Sequence, residues 1–321
     1  MSERILVADI GGTNARFAIA DAATCAIGEA QNFRAEDFET IADAARAYLE
    51  ATGERPEAAC FAVAGPVGGP DANDEIAFTN SHWKFRPVEI RAALNLKRFL
   101  PVNDFYALAS SICRLPADYF IPVKAGPGDP TAPTLVIGPG TGLGQALIIP
   151  FGDRRRVVST EGGHVSFAPR TDEEFAVLKF IAREHPRVSV ERLLSGRGLV
   201  NIHRALCSLA GAQRVSLRAN EITAAAIAGK HPIAVKAVDM FCSVLGRVAG
   251  DAVLATGARG GVVLGGGILP KIKDLFLKSA FVERFLDKGR MRDYVDVAPV
   301  RMVVKEGAAL IGAAAALQEA S

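Results

Sequence analysis

Asp9-Ile-Gly-Gly-Thr-Asn14 follows the apolar run Ile5-Leu-Val-Ala8 and precedes a second apolar stretch, residues 15–20. Strand, glycine turn and strand make a β-hairpin whose tip is bare backbone. The pattern returns once in the second half of the chain, as Thr134-Leu-Val-Ile137, then Gly138-Pro-Gly-Thr-Gly-Leu-Gly144, then residues 145–149. Glycine at such a tip lets peptide N–H groups come close to an anion, because no Cβ stands in the way. Two such tips suit a nucleotide polyphosphate gripped from two sides. Either turn alone also reads as an ordinary tight hairpin that uses glycine for its conformation, so the remaining polar pattern has to decide.

Outward from the first hairpin, apolar spacing predicts a helix over 41–51 and a buried strand over 58–64 that ends in Gly65-Pro-Val-Gly-Gly-Pro70. A helix over 88–94, a strand over 98–102 and a helix over 105–112 follow. Beyond the second hairpin (134–149) the pattern turns mostly helical: 173–184, 191–194, 199–210, 222–228 and 233–255. Short strands at 261–264 and 300–304 and a small-residue helix over 308–318 complete the chain. Strands mixed with helices indicate α/β architecture. The returning hairpin is the one hint of internal duplication.

The chain has 321 residues, half of them hydrophobic, 22% charged, with a net charge of +2. That composition belongs to a soluble globular protein long enough for two domains. Without a long basic run, nucleic-acid binding has little support, and Arg154-Arg-Arg156 reads as a solvated hairpin end. Residues 131–152 carry no charge and could span a bilayer by length. Pro133, Gly138, Pro139, Gly140, Gly142, Gly144 and Pro150 would break a helix there, so strand–turn–strand is preferred and no membrane association is expected. Cys25, Cys60, Cys113, Cys207 and Cys242 show no C-x-x-C spacing; with an odd count and no signal peptide they predict reduced thiols and a cytoplasmic location.

The familiar nucleotide fingerprints are absent. Gly229-Lys230 is followed by His231, so there is no P-loop. Leu143 and Pro270 stand where a third dinucleotide-binding glycine would be needed. A phosphate cradle here must be of another kind.

Asn103-Asp104 stands where a hydrophobic strand stops and a helix starts. Such a pair is placed to face an α/β crevice, and Asp104 could take the proton of an attacking hydroxyl. Helix capping explains the same two residues. Glu161-Gly-Gly-His164 brings a carboxylate and an imidazole together on a lean backbone, suited to the hydroxyls of one polyol. Glu191 precedes Arg192-Leu-Leu-Ser-Gly-Arg-Gly198 and also reads as a first-turn glutamate favoured by the helix dipole. Gly265-Gly266-Gly267 could seat a nucleoside against backbone, or simply allow tight strand–helix packing.

Taken in order, these residues resemble the bacterial glucokinase family, among the sugar kinases that share an actin-like ATPase (ribonuclease H-like) fold. The matching pieces are Asp9 through Arg16, Thr79-Asn80 with Trp83, Val102-Asn-Asp-Phe105, Gly138 through Gly144, Glu161 through Pro169, Glu191 through Leu199, and Gly265 through Pro270. The resemblance implies two α/β lobes about a cleft, a small one of residues 1–110 plus about 305–321 and a larger one of 111–304. It implies ATP-dependent phosphorylation of D-glucose at the 6-hydroxyl, with Asp104 as base and Asn103, Asp104, Glu161, His164 and Glu191 on the sugar. ATP would meet Ala8, Asp9, Ile10, Gly11, Gly12, Thr13, Asn14, Arg16, Gly140, Thr141, Gly142, Gly265, Gly266 and Gly267. Asp9 would lie near Mg²⁺ through water, and a homodimer is expected.

Arg197 departs from the proline that many relatives carry and is expected to affect loop stiffness or ATP-side contacts. The branch with a Cys-rich zinc motif fits poorly, since no cysteine occurs between Cys113 and Cys207; its DNA-binding extension is not expected, with the first strand beginning at about Arg4. Two alternatives stay open: a kinase for another hexose or amino sugar, and a non-catalytic nucleotide switch.

Overall fold

The computed structural model describes residues 3–65, 67–68, 73–78, 81–212 and 216–320. The chain divides into one unit of Met1–Ala117 with Lys305–Ser321 and a second of Asp118–Val304. Pro66, Gly69, Pro70, Thr79 and Asn80, singled out in the sequence, lie outside the described residues.

In the first unit β1 (Arg4–Ile10) and β2 (Asn14–Asp21) form the expected hairpin, with Asp9 opposite Arg16 and Ile10 opposite Ala15. β3 (Gln31–Arg34) pairs with β2. Then come α1 (Ile41–Thr52), β4 (Ala58–Val63), a small ladder of β5 (Ile76–Ala77) and β6 (Lys84–Phe85), α2 (Pro87–Ala93), β7 (Arg98–Asn103) and α3 (Asp104–Ser111). The sheet order is β3-β2-β1-β4-β7, with β1, β4 and β7 parallel.

Leu6, Ala8, Ile10, Phe17 and Phe61 pack on one face against Ile41 and Tyr48 of α1. Ile5, Val7, Ala18, Cys60 and Ala62 pack on the other against Ala107 of α3 and Leu310, Ala313 and Leu317 of the C-terminal helix (Ala308–Glu319). Burial of both faces is why these strands read as unbroken apolar runs. Local signals bound α1: Thr40 and Asp43 form a reciprocal capping box, and Gly53 ends the helix at φ +70°. Gly312 lies so close to the Ala107 carbonyl that a Cβ has no room, which sets the C-terminal helix tightly on α3.

The second unit contains β8 (Phe120–Lys124), β9 (Thr134–Pro139), β10 (Leu143–Phe151), β11 (Arg154–Thr160), α4 (Asp172–Ala182), α5 (Gly196–Leu209), α6 (Ala219–Ile227), α7 (Pro232–Thr256), β12 (Gly261–Leu264), α8 (Lys273–Lys278), α9 (Phe281–Leu286), α10 (Arg292–Asp296) and β13 (Val300–Val303). Its sheet order is β11-β10-β9-β12-β13-β8. Both units therefore use one plan. An antiparallel three-strand meander (β1-β2-β3, β9-β10-β11) offers its first strand to two further parallel strands (β4 and β7, β12 and β13). The duplication hinted at by the hairpins extends to five strands.

Three differences from the sequence reading stand out. Arg154-Arg-Arg156 does not merely end a hairpin: it opens β11, an edge strand paired with β10. β3 and β8, also at sheet edges, and the short α8, α9 and α10 were not foreseen. Around Glu191 only a single 3-10 turn forms, Val190–Arg192. Among the described residues no helix is long and apolar enough to cross a membrane.

Candidate active site

In the first unit, parallel pairing aligns Ile10 with Val63 and Val63 with Asn103. The glycine tip and the Asn103-Asp104 pair thus occupy the same edge of one sheet, at the carboxyl ends of its parallel strands, where open α/β sheets bind ligands. With β4 between them, Ile10 and Asn103 are about 10 Å apart, two strand spacings.

The tip is tied down on both sides. Gly11 N–H donates to Asn14 O at 2.9 Å, and Thr13 O accepts from Ala35 N–H at 2.9 Å. A depression of about 630 Å³ opens beside Gly12, Thr13 and Asn14, with Arg34, Ser81 and His82 also on its wall. Another, of about 740 Å³, lies at the opposite ends of β4 and β7, near Glu57 and Lys97, away from these residues.

Asn103 fulfils the capping alternative. Its Oδ1 accepts from Phe105 N–H (2.9 Å) and Tyr106 N–H (3.2 Å), and its Nδ2 donates to Gly65 O at 3.0 Å. Three of the four hydrogen bonds open to an asparagine amide are thereby used inside the protein, leaving one N–H for a ligand. Asp104 is the first residue of α3, half-buried, and its Oδ1 accepts from Phe105 N–H at 2.9 Å. Asn103 therefore caps α3, and Asp104 opens that helix at the carboxyl end of β7, a placement compatible with either reading of the pair. Trp83 is a core residue, its Nε1 donating to Phe38 O at 3.1 Å.

Asp9 is half-buried beside Arg16, whose Nη1 donates to Glu306 at 2.8 Å. Burial pushes the Asp9 carboxyl up to about 6, against the opposing pull of the Arg16 guanidinium. Among the described residues no group of three or more His, Cys, Asp or Glu could hold a metal unaided. Mg²⁺ that keeps its waters and binds substrate phosphates needs only one or two carboxylates, and Asp9 fits that demand.

The raised Asp9 value has a sign. Between about pH 4 and 6 the folded chain binds more protons than the unfolded one, so stability falls as pH rises through that window. The full shift corresponds to ~3 kcal/mol at neutral pH, and partial solvent contact reduces this to about 1–2. Asp9→Asn is expected to raise the melting temperature of the ligand-free protein by a few degrees at pH 8 and by less at pH 5. Thermal unfolding at both pH values checks it; an equal change at both removes the titration as the cause.

In the second unit the tip after β9 is braced by residues far along the chain. Gly140 O accepts from Gly196 N–H at 2.9 Å, at the start of α5. Leu143 N–H donates to Glu191 Oε2 at 3.0 Å, and that carboxylate fills the space a Cβ on Gly142 would need. Gly163 and Gly162 press against Leu143 O and the Gln145 side chain, again with no room for Cβ atoms. Glu161 and His164 meet across this turn at 3.8 Å, 71% and 55% exposed. Gly266, at φ +84°, and Gly138 let the Gly265–Gly267 turn lie directly on the end of β9, whereas Gly267 faces open space. Tight packing thus explains Gly138 and Gly266.

A short ladder ties the segment after His164 to the segment before Glu191. Val190 N–H donates to Val165 O (2.9 Å), Phe167 N–H donates to Val188 O (3.0 Å), and Ser166 bridges Ser189. Beyond this ladder both chains leave extended backbone, His164 in the 3-10 turn Gly162–His164 and Glu191 in the turn Val190–Arg192. Sequence reasoning missed that ladder, the Glu191–Leu143 bond and Arg187, whose Nη2 donates to His164 O at 2.7 Å. No local spacing announces any of them.

A family model described as Glucokinase matches residues 6–320. A glucokinase from Saccharophagus degradans is 40% identical over 318 residues, covering 98% of both chains. The crystal structure of a glucokinase from an Antarctic psychrotroph superposes with a TM-score of 0.85 at 38% identity, over 99% of this chain and 100% of that one. A ROK family glucokinase from Streptomyces griseus, solved in complex with glucose and AMPPNP, shares the fold at a TM-score of 0.67 and 23% identity, over 97% and 98% of the two chains.

Proposed function

The chain belongs to the glucokinase family, and we propose that in its reaction Asp104 takes the proton of the sugar's 6-hydroxyl. The protein is an α/β kinase of the actin-like ATPase fold that converts ATP and D-glucose to ADP and glucose 6-phosphate. Phosphoryl transfer asks the protein mainly for positioning and charge stabilisation. The 6-oxygen attacks the γ-phosphorus as its proton passes to Asp104. The bond to the β–γ bridging oxygen breaks, and its electron pair leaves with ADP.

One observation carries the role of Asp104: its strand end stands in register with the end of β1, where the glycine tip begins. ATP as donor is supported by the Streptomyces griseus neighbour, which holds the ATP analogue AMPPNP. The Gly12-Thr13 and Thr141-Gly142 peptides are the proposed phosphate contacts, with Gly267 bordering the nucleoside. Mg²⁺ arriving with ATP would be held through water by Asp9 and would neutralise the β- and γ-phosphates. Glu161, His164 and Glu191, on segments that the ladder joins, are the proposed partners of the sugar hydroxyls, together with the remaining Asn103 N–H. A cytoplasmic homodimer belongs to the same proposal on the family resemblance; molar mass in solution tests the assembly.

A pocket of paired carboxylates and imidazole leaves polar groups unmatched when a hydroxyl is displaced, a mismatch that can reach ~10⁴-fold in kcat/KM. A coupled ADP-release assay with Mg-ATP is expected to show strong turnover on glucose and far less on mannose, fructose, galactose, glucosamine and N-acetylmannosamine. Preference for another sugar would overturn the substrate but keep the base. ATP hydrolysis indifferent to sugar would favour a nucleotide switch.

A further inference from the structure

The geometry points to a buried ion pair, Arg247 of α7 with Glu174 of α4, as a positioning clamp for the loop that carries Glu161 and His164. The clamp would set sugar affinity without touching the sugar, and it rests on the reading of Glu161, His164 and Glu191 as the sugar set.

Arg247 Nη1 and Glu174 Oε2 are 2.5 Å apart, with side chains 10% and 5% exposed. The same Oε2 accepts from Arg170 N–H at 2.6 Å, and the guanidinium carbon lies 5.3 Å from the centre of the Phe167 ring. One ion pair thus holds two points of the segment that begins at Glu161, a ring and a backbone amide. Phe167 is in turn the residue whose N–H closes the ladder onto Val188. Fixing Phe167 fixes the ladder that ties the segment after His164 to the segment before Glu191.

Stability does not explain the pair. Among the described residues Arg247 Nη2 is buried with no hydrogen-bond partner. A buried ion pair with an orphaned donor gains little over apolar residues of the same volume, which are often neutral or better. A guanidinium can face a ring with its cation while donating to a carboxylate, so the function left for the pair is geometric. A lysine keeps the charge but loses the fixed fork of donors.

The test uses the full-length enzyme with Mg-ATP and three variants: Arg247→Met, Arg247→Lys and the volume-conserving double Arg247→Met/Glu174→Leu. The double variant avoids an uncompensated buried charge and is expected to melt within ~3 °C of the wild type. Its KM for glucose is expected to rise about tenfold while KM for ATP stays within about twofold, since small misplacements of binding groups cost that much or more. Amide exchange at Phe167 and Arg170 should quicken by a similar factor, and Arg247→Lys should fall between. A glucose KM within about twofold of wild type in the folded double variant overturns the clamp, as does an equal rise in both KM values. Wild-type protein that neither binds nor turns over glucose overturns the sugar-set reading itself, an outcome distinct from failure of the clamp alone.

Discussion

Asp104→Ala is expected to lower kcat by at least ~10²-fold, the lower end of what a positioned general base supplies. Its stability should change little, because the cap of α3 is not Asp104. Phe105 N–H and Tyr106 N–H both donate to Asn103 Oδ1, and those bonds survive the substitution. Asn103→Ala should behave the other way. It removes the cap, worth ~1 kcal/mol, and the bond to Gly65 O, so it lowers stability as well as turnover. Steady-state kinetics and thermal unfolding of both variants separate proton transfer from scaffolding. A folded Asp104→Ala enzyme with near wild-type kcat would remove Asp104 from the chemistry.

The same pair of residues shows how far the sequence could be read. The hairpins at Gly11–Thr13 and Gly140–Gly142 were legible because glycine turns stood between apolar strands, a signal contained within about 15 residues. β1, β2 and β4 of the first sheet were legible because both faces are buried and the apolar runs are nearly unbroken. β3, β8 and β11 were not, since edge strands keep polar, partly exposed side chains: β11 opens with three exposed arginines. For Asn103, strand-end placement and helix capping were indistinguishable from type alone, and the structure shows one asparagine at the strand end that also serves the cap. Glu191 was legible as a carboxylate before a glycine-ended segment. Its bond to Leu143, 48 positions away, depends on a fold that brings two loops together, and no spacing rule encodes that.

That bond makes Glu191 the second residue with a large expected effect, and one with a double signature. As a proposed sugar ligand, its loss removes a hydrogen bond to a charged group, worth ~1.5–3 kcal/mol, so Glu191→Ala should cost about 10²-fold in kcat/KM for glucose. As the acceptor of Leu143 N–H it also holds the second glycine tip, the proposed contact for ATP phosphates. Alanine leaves that amide without its partner, and KM for ATP is expected to rise about tenfold, near 1.4 kcal/mol. Glu191→Gln divides the two functions. Its amide oxygen can still accept from Leu143 N–H, so KM for ATP should stay near wild type while glucose binding weakens. Gly142→Ala approaches from the other side: a Cβ there meets the Glu191 carboxylate and must displace it. It should reproduce the ATP defect with the glutamate still present. If Glu191→Ala shifts glucose kinetics alone and leaves ATP untouched, the brace on the tip is structural decoration and the two sites are independent. If both shift in alanine but only glucose in glutamine, one carboxylate links the sugar set to the phosphate turn. The glycine at position 142 is then required less for turn conformation than for the room it leaves that carboxylate.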